Sequence, residues 1–290
     1  AIMGNDEKFL NDIMDAAREL KPRFIALAGS PIPYMNGTDF PALAEVLEQE
    51  LGIPTFSVPT NGMHDYVYGA GLALEQIARQ FVPAKAVCEE KNIQPHTVNL
   101  LGVTPLDFGA YSRAGYMKKN LEKCGWKVLS TWAMGDDLEV LSHALEAEVN
   151  LVVSSVGLRT AKYLEKEFGT PYEVGYPFVD ELIPELGYER KKILIIHQQV
   201  IANAIRQEIR TRSDEQNTEV TVASWFMMKK ELQTDRDVIL RDEDAYIELV
   251  QNGEFDIIFA DECMERMTPG FEGTFVNTRH FAVSGKLIEK

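Results

Sequence analysis

The chain has 290 residues, 45% of them apolar and 26% charged, a globular composition at a length that calls for two or three compact units, each burying a core of its own. Lys plus Arg total 29 against 45 Asp plus Glu, and the net charge of −16 would repel a phosphate backbone, so nucleic acid is excluded as an expected partner. No run reaches the roughly 18 apolar residues that span a bilayer, the opening AIMGNDEKF shows no secretory pattern, and Cys88, Cys124 and Cys263 are too sparse for a disulfide framework, which together predict a cytoplasmic chain without a membrane span. The opening Ala is compatible with removal of an upstream segment.

In chain order, NDEKFLNDIMDAAREL predicts an amphipathic helix with Phe9, Leu10, Ile13, Met14, Ala17 and Leu20 on one face. The buried strand FIALA follows. Asp39 is placed to cap a helix through Leu43, Val46, Leu47 and Leu51, which Gly52 and Pro54 stop before the strand TFSV. The same order returns as VNLLGV, the loop TPLDFGA, a helix around Tyr116 to Cys124, the strand KVLSTWAM, the helix LEVLSHALEAE, the strand NLVVSS and the helix LRTAKYLEKEF. A third round begins at KKILIIH and passes through a helix near Ile201 to Arg212, the strand EVTVASWF, the helix DAYIELVQNG and the strand FDIIFAD to a terminal strand including FVNTRH. The helix ends VLEQELGIP and YLEKEFGTP are near copies. Short continuous Val, Ile and Leu runs suit parallel strands covered on both faces. The expected fold is α/β: three Rossmann-like units over residues 1–95, 96–187 and 188–290, with a cleft at their junction.

Ligands in such folds bind beyond the carboxyl ends of the strands. Those ends are Ala28 to Gly37, Gly102 to Gly109, Ser154 to Gly157, His197 to Gln199 and Asp261 to Glu265. The loop from Gly102 through Thr104 leads into a helix whose first amides suit an anionic group, although an ordinary turn has the same composition. His280 suits metal binding, proton transfer or a purely structural place. Cys263 follows a strand end, either as a thiol delivered to the cleft or as packing, and packing is the expected place of Cys88 and Cys124. Asp261 and Glu262 read as helix caps or as an acid–base pair, with the cap favoured, and His64 as a ligand contact or a surface residue.

The ordered series IMGNDEKFLNDIMDAARELKPRFIALAGSPIP, NGTDFPALAEVLEQELGIPTFSVPTNGM, VNLLGVTPLDFGAYSRAGYMKKNLEKCGWKV and NLVVSSVGLRTAKYLEKEFGTPY resembles the nitrogenase component 1 family over nearly the whole chain. The resemblance implies three α/β domains around an iron–sulfur or other metal cluster or a tetrapyrrole. It also implies a second component 1-like subunit, in a homo- or hetero-oligomer, and an ATP-dependent iron protein as electron donor. Where the family has a cluster-binding cysteine after the first strand of this region, this chain has Ser30 and Pro31. Where nitrogen-reducing members anchor their cofactor after the strand matching NLVVSS, it has Ser154 or Ser155. The polar residues those members carry after the second loop fall near Tyr68 and Leu72. The family's histidine near the end of its third domain has a counterpart in His280, and the match is expected to start just after the family's cysteine-bearing N-terminal segment.

Ser30, His64, Gly102, Thr104, Ser154, Ser155, Cys263 and His280 are therefore the candidate cofactor contacts, with His280 as the candidate metal ligand. The expected function is a divergent oxidoreductase subunit or fragment reducing a substrate other than dinitrogen, and the isolated chain is expected to hold no stable iron–sulfur cluster because its cysteines are dispersed. The alternatives are a non-catalytic cofactor-binding or assembly scaffold on the same fold and a hinge-closing binding protein.

Overall fold

A computed structural model describes residues 5–82, 92–213 and 218–286. Its first part runs through α1 (Asp6–Leu20), β1 (Ile25–Ala28), α2 (Pro31–Met35), α3 (Phe40–Leu51), β2 (Thr55–Val58) and α4 (Tyr66–Phe81). The second has β3 (Gln94–Leu101), α5 (Pro105–Phe108), α6 (Ser112–Lys123), β4 (Lys127–Thr131), α7 (Leu138–Ser142), β5 (Ala147–Val152), α8 (Leu158–Phe168) and β6 (Tyr172–Val174). The third has β7 (Lys192–Ile196), α9 (Gln199–Arg212), β8 (Glu219–Ser224), β9 (Val238–Ile239), α10 (Glu243–Gly253), β10 (Ile257–Ala260), α11 (Glu262–Glu265), β11 (Thr274–Asn277) and α12 (Phe281–Ser284).

Every strand pairing among the described residues is parallel, in three sheets ordered β1-β2, β4-β3-β5-β6 and β9-β8-β7-β10-β11. The protein is thus an α/β fold of parallel sheets flanked by helices. The third sheet grows outward from β7 in both directions, so its order reverses between β7 and β10, and the second sheet reverses between β3 and β5. Such a reversal opens a crevice, because the connections on its two sides leave toward opposite faces.

Local chemistry explains the boundaries. Asp39 accepts from the Ala42 amide to start α3, and Gly52, at φ +65°, ends it in the left-handed conformation. Gly169 ends α8 in the same way. β1 departs from expectation: it covers only Ile25–Ala28, and with a single neighbour it buries Leu27 while Ala26 and Ala28 remain exposed. β4 stops at Thr131, whose amide donates to Asp136 Oδ2 at 2.7 Å. The α-helix expected over LEVLSHALEAE ends at Ser142 and is followed by a single 3-10 turn over Ala144–Glu146. There the Ala144 carbonyl is taken by Asn99 Nδ2 at 2.8 Å, and Ala147 already pairs with β3. A tertiary hydrogen bond and a sheet ladder override a helical pattern at this point.

Leu100 and Val153 of the second sheet's segment pack in one buried cluster with Ile193, Ile195 and Phe259 of the third, so these two sheets share apolar contacts, while Leu194, Ile196, Tyr246 and Ile258 form a further cluster within the third part alone. This common core seats their carboxyl-end loops against each other. No helix among the described residues is long and apolar enough to cross a membrane.

Candidate functional site

Two loops meet at the second sheet's crevice. Gly102 follows β3 at φ +87°, where a Cβ would lie 2.7 Å from the Gly157 amide nitrogen, and a Cβ on Gly157 would lie 2.6 Å from the Leu101 carbonyl. Only hydrogen on both residues permits this approach. It brings the turn after β5 alongside the loop after β3, and so joins Ser154 to α5. Thr104 caps α5, its hydroxyl accepting from the Asp107 amide at 3.2 Å.

Asp107 is the centre of what these loops assemble, and its side chain is fully buried. The Thr104 and Ser154 hydroxyls donate to Oδ2 at 2.8 and 2.5 Å. The Tyr66 hydroxyl, from the first turn of α4, donates to Oδ1 at 2.5 Å, and His280 Nε2 lies 3.5 Å from the same oxygen. Burial alone would raise the Asp107 carboxyl, but the hydrogen bond and charge of His280, with the Ser154 and Tyr66 hydroxyls, outweigh it and hold the group below the usual carboxylate range. Burial first, and the adjacent carboxylate second, push the Tyr66 phenol well above its ordinary value. The cluster is an ionised carboxylate with three hydroxyl donors and one imidazole, drawn from three distant parts of the chain.

The third sheet supplies the imidazoles at its own crevice. His197 follows β7 and His280 follows β11, their rings stacked with centroids 4.5 Å apart and planes inclined by 15°. His280 is oriented from the neighbouring strand end, where Asp261 Oδ2 accepts from the His280 amide at 2.9 Å. His197 Nδ1 accepts from the Gln198 amide at 2.8 Å, which leaves the proton on Nε2 to donate to the Arg279 carbonyl at 3.1 Å. Burial, reinforced by the charge of His280, pushes His197 down to about 3. Gln198 Nε2 donates to the Val153 carbonyl at 2.9 Å and ties the two crevices together. Beside them opens a cleft of about 250 Å³, with Asp107 and His197 in its wall, Phe108, Tyr176 and Phe281 as apolar surface, and Arg113 among its cations.

His197 sets a pH dependence. A buried base with a lowered pKa stays neutral while the unfolded chain takes up a proton below 6.5, so its contribution to stability is complete above pH 6.5 and is lost as pH falls toward 3. Over that window the loss from this residue is about 1.4 kcal/mol per pH unit. His197→Gln is expected to flatten that part of the stability–pH curve measured by urea denaturation at pH 7, 6 and 5. A curve as steep as that of the wild type contradicts the assignment.

The profile of the family described as nitrogenase component 1 type oxidoreductase matches residues 1–180. The chain belongs to that family. It is 26% identical over 230 residues to one subunit of the light-independent protochlorophyllide reductase of Nostoc punctiforme, covering 77% of this chain and 44% of that protein. With the corresponding reductase subunit from Staurastrum punctulatum it shares 28% over 236 residues, at the same coverage. The chain thus spans less than half the length of these curated relatives. The solved structure of nitrogenase Cp1 at pH 5 superposes with a TM-score of 0.66 at 13% identity, over 94% of this chain and 69% of that one, which shows the fold alone.

Against this family background, Gly102, Thr104, Ser154 and His280 meet at one place, and Ser155 lies beside them with a buried hydroxyl that has no hydrogen-bond partner. The other candidates do not join them. Ser30 is exposed and begins α2 without a side-chain cap bond, and His64 is exposed, its ring centroid 4.2 Å from that of Tyr68. Cys263 packs beneath the third sheet, where burial and the neighbouring Asp261 push its thiol up to about 11, the opposite of an activated thiolate. Asp261 caps α11, as the cap reading has it, and Glu262 pairs with Lys286 at 2.6 Å. Cys124 is exposed at the end of α6 rather than packed, and Cys88 lies outside the described residues. His280 is 1% exposed, stacked on His197, and its Nε2 faces Asp107.

These donors do not fit an iron–sulfur cluster. Among the described residues no group of three His, Cys, Asp or Glu side chains could hold a metal ion, and Ser154 and Ser155 offer hard hydroxyls where soft thiolates are required. Sequence reasoning did not single out Asp107, Tyr66 or His197 as members of this cluster, although Asp107 and His197 lie within the strand-end segments it named. The available signals were a carboxylate inside the largely apolar, Gly-flanked loop GVTPLDFG and a histidine directly after the apolar run ILII.

Proposed function

We propose that this chain forms the proton-handling, substrate-contacting wall of a component 1-type reductase. In this reading its electrons come from an ATP-dependent iron protein through thiolate-held clusters of a partner subunit. The supporting observation is Asp107, buried at the junction of two crevices with three hydroxyl donors and an imidazole around it and a cleft beside it. Reduction of an unsaturated substrate by two electrons also consumes two protons, which must reach the substrate through groups that exclude bulk water. An ionised carboxylate in contact with a histidine and a phenol suits that task, since a proton can be held on the imidazole and replaced through hydroxyls.

The names of the curated relatives make protochlorophyllide the first substrate to test. The chain would be purified anaerobically with its partner subunit and titrated with protochlorophyllide, following the pigment's visible absorbance. With the iron protein and ATP added, Tyr66→Phe is expected to lower the reduction rate by about tenfold or more with affinity little changed. Absence of any absorbance change excludes this substrate. Reduction by the variant at the wild-type rate refutes the proton-handling role.

A second reading, a non-catalytic cofactor-binding or assembly scaffold, is favoured by Ser30, Pro31, Ser154 and Ser155 where the family resemblance implies thiolates. It predicts the same binding with no reduction by the complete assembly.

A further inference from the structure

A second groove lies away from the cleft, between α4, α8 and the segment after β8, with a volume of about 380 Å³. On a chain of net charge −16 its lining is cationic, five Lys and Arg side chains against three Glu. The pairing within it is uneven. Lys162 has Glu231 at 2.5 Å and Lys166 has Glu167 at 3.1 Å, each a one-to-one pair. Glu75 is shared, accepting from Arg79 at 2.7 Å and from Arg159 at 3.0 Å, so one carboxylate faces two guanidiniums. Lys229 has no carboxylate within ion-pair distance among the described residues, and its ammonium meets only the Met227 thioether, a weak acceptor, at 3.5 Å.

Asp65 is the carboxylate of the neighbouring loop, and its oxygens are used by the amides of Tyr68 and Met227. Lys229 is half-buried, and burial first and the charge of Arg159 second lower its pKa. Within the groove's own lining two positive charges, one shared between Arg79 and Arg159 and one on Lys229, are left unbalanced, the Asp65 carboxylate acting on Lys229 from outside that lining. α8 adds to the imbalance: it starts without a capping side chain or an acidic residue in its first turn and places Arg159 there, where the helix dipole disfavours a cation.

We propose that this groove binds a phosphate group, bridged between Arg159 and Lys229. The excess of two positive charges matches a phosphate or phosphate monoester, which carries about −1.5 to −2 at neutral pH, better than a single carboxylate. Arg159 offers a planar fork and Lys229 a point charge, a pairing suited to a tetrahedral oxyanion. Glu75, only 14% exposed at its side chain, holds the two guanidiniums in place.

The test is calorimetric titration of the full chain, at fixed ionic strength, with inorganic phosphate, adenosine monophosphate and acetate. Saturable one-site binding of phosphate with none of acetate is expected, and Lys229→Gln should weaken it about tenfold or more. Equal affinity for phosphate and the nucleotide assigns the site to free phosphate, whereas tighter nucleotide binding assigns it to the phosphoryl group of a larger molecule. Lys192→Gln, which removes a cation paired with Glu254 at 2.9 Å outside the groove, should change affinity by less than threefold. Absence of saturable phosphate binding, equal binding of acetate, or a Lys229→Gln chain that binds like the wild type overturns the proposal.

Discussion

Replacing Asp107 by Ala is expected to destabilise the folded chain by about 3–5 kcal/mol, the usual result of removing one partner from a buried charged network. The carboxylate accepts from Thr104, Ser154 and Tyr66 and faces His280, and each of these is left without its acceptor in the variant. Asp107→Asn keeps the volume but turns an NH2 toward hydroxyl donors, so it should also destabilise, by a smaller amount. Urea denaturation should show a lower midpoint with an unchanged slope, the signature of a stability change without a change in the surface exposed. A loss below about 1 kcal/mol for Asp107→Ala would mean that the network is worth little and that its geometry is incidental.

Gly157→Ala is expected to cost about 3 kcal/mol by overpacking, although its backbone conformation is an ordinary one. The new methyl would lie 2.6 Å from the Leu101 carbonyl and 2.9 Å from the Gly102 amide nitrogen, and neither backbone group can rotate away. Relief requires the turn after β5 to move off the loop after β3, which carries Ser154 away from Asp107. Gly115→Ala is the control. That glycine lies within α6, where an added methyl would have nothing within 4 Å, so alanine should stabilise by about 0.5–1 kcal/mol. Thermal or urea midpoints of the two variants should move in opposite directions, and equal shifts would show that the close approach of the two loops carries no weight.

Sequence and structure agree most where the information is local. Gly52 and Gly169 end their helices as the pattern required, and the short apolar strands lie in parallel sheets. Agreement fails where partners are remote. The α-helical pattern gives way at Ala144 to a 3-10 turn, whose first carbonyl also accepts from Asn99, 45 positions earlier. Asp107 reads locally as an ordinary turn residue, and its burial becomes visible only when Tyr66, 41 positions away, and Ser154, 47 positions away, are brought to it. The family resemblance directed attention to Ser30, but β1 belongs to a two-stranded sheet that leaves the following loop exposed, so that candidate stays outside the cluster. His280 was legible as a position and not as an arrangement, since nothing local in RHFAVSG announces the His197 ring stacked on it.

The central claim is that the Asp107 network handles protons for reduction in the adjoining cleft. Its most direct test is the pH–rate profile of substrate reduction by the assembled complex, comparing the wild type with Asp107→Asn under substrate saturation and with the folded fraction of each verified. The account predicts a fall in kcat of about 100-fold with KM within about threefold, and a changed pH profile, because the group removed acts on the chemical step rather than on binding. A variant that folds, binds substrate and turns over at the wild-type rate with an unaltered pH profile would contradict it.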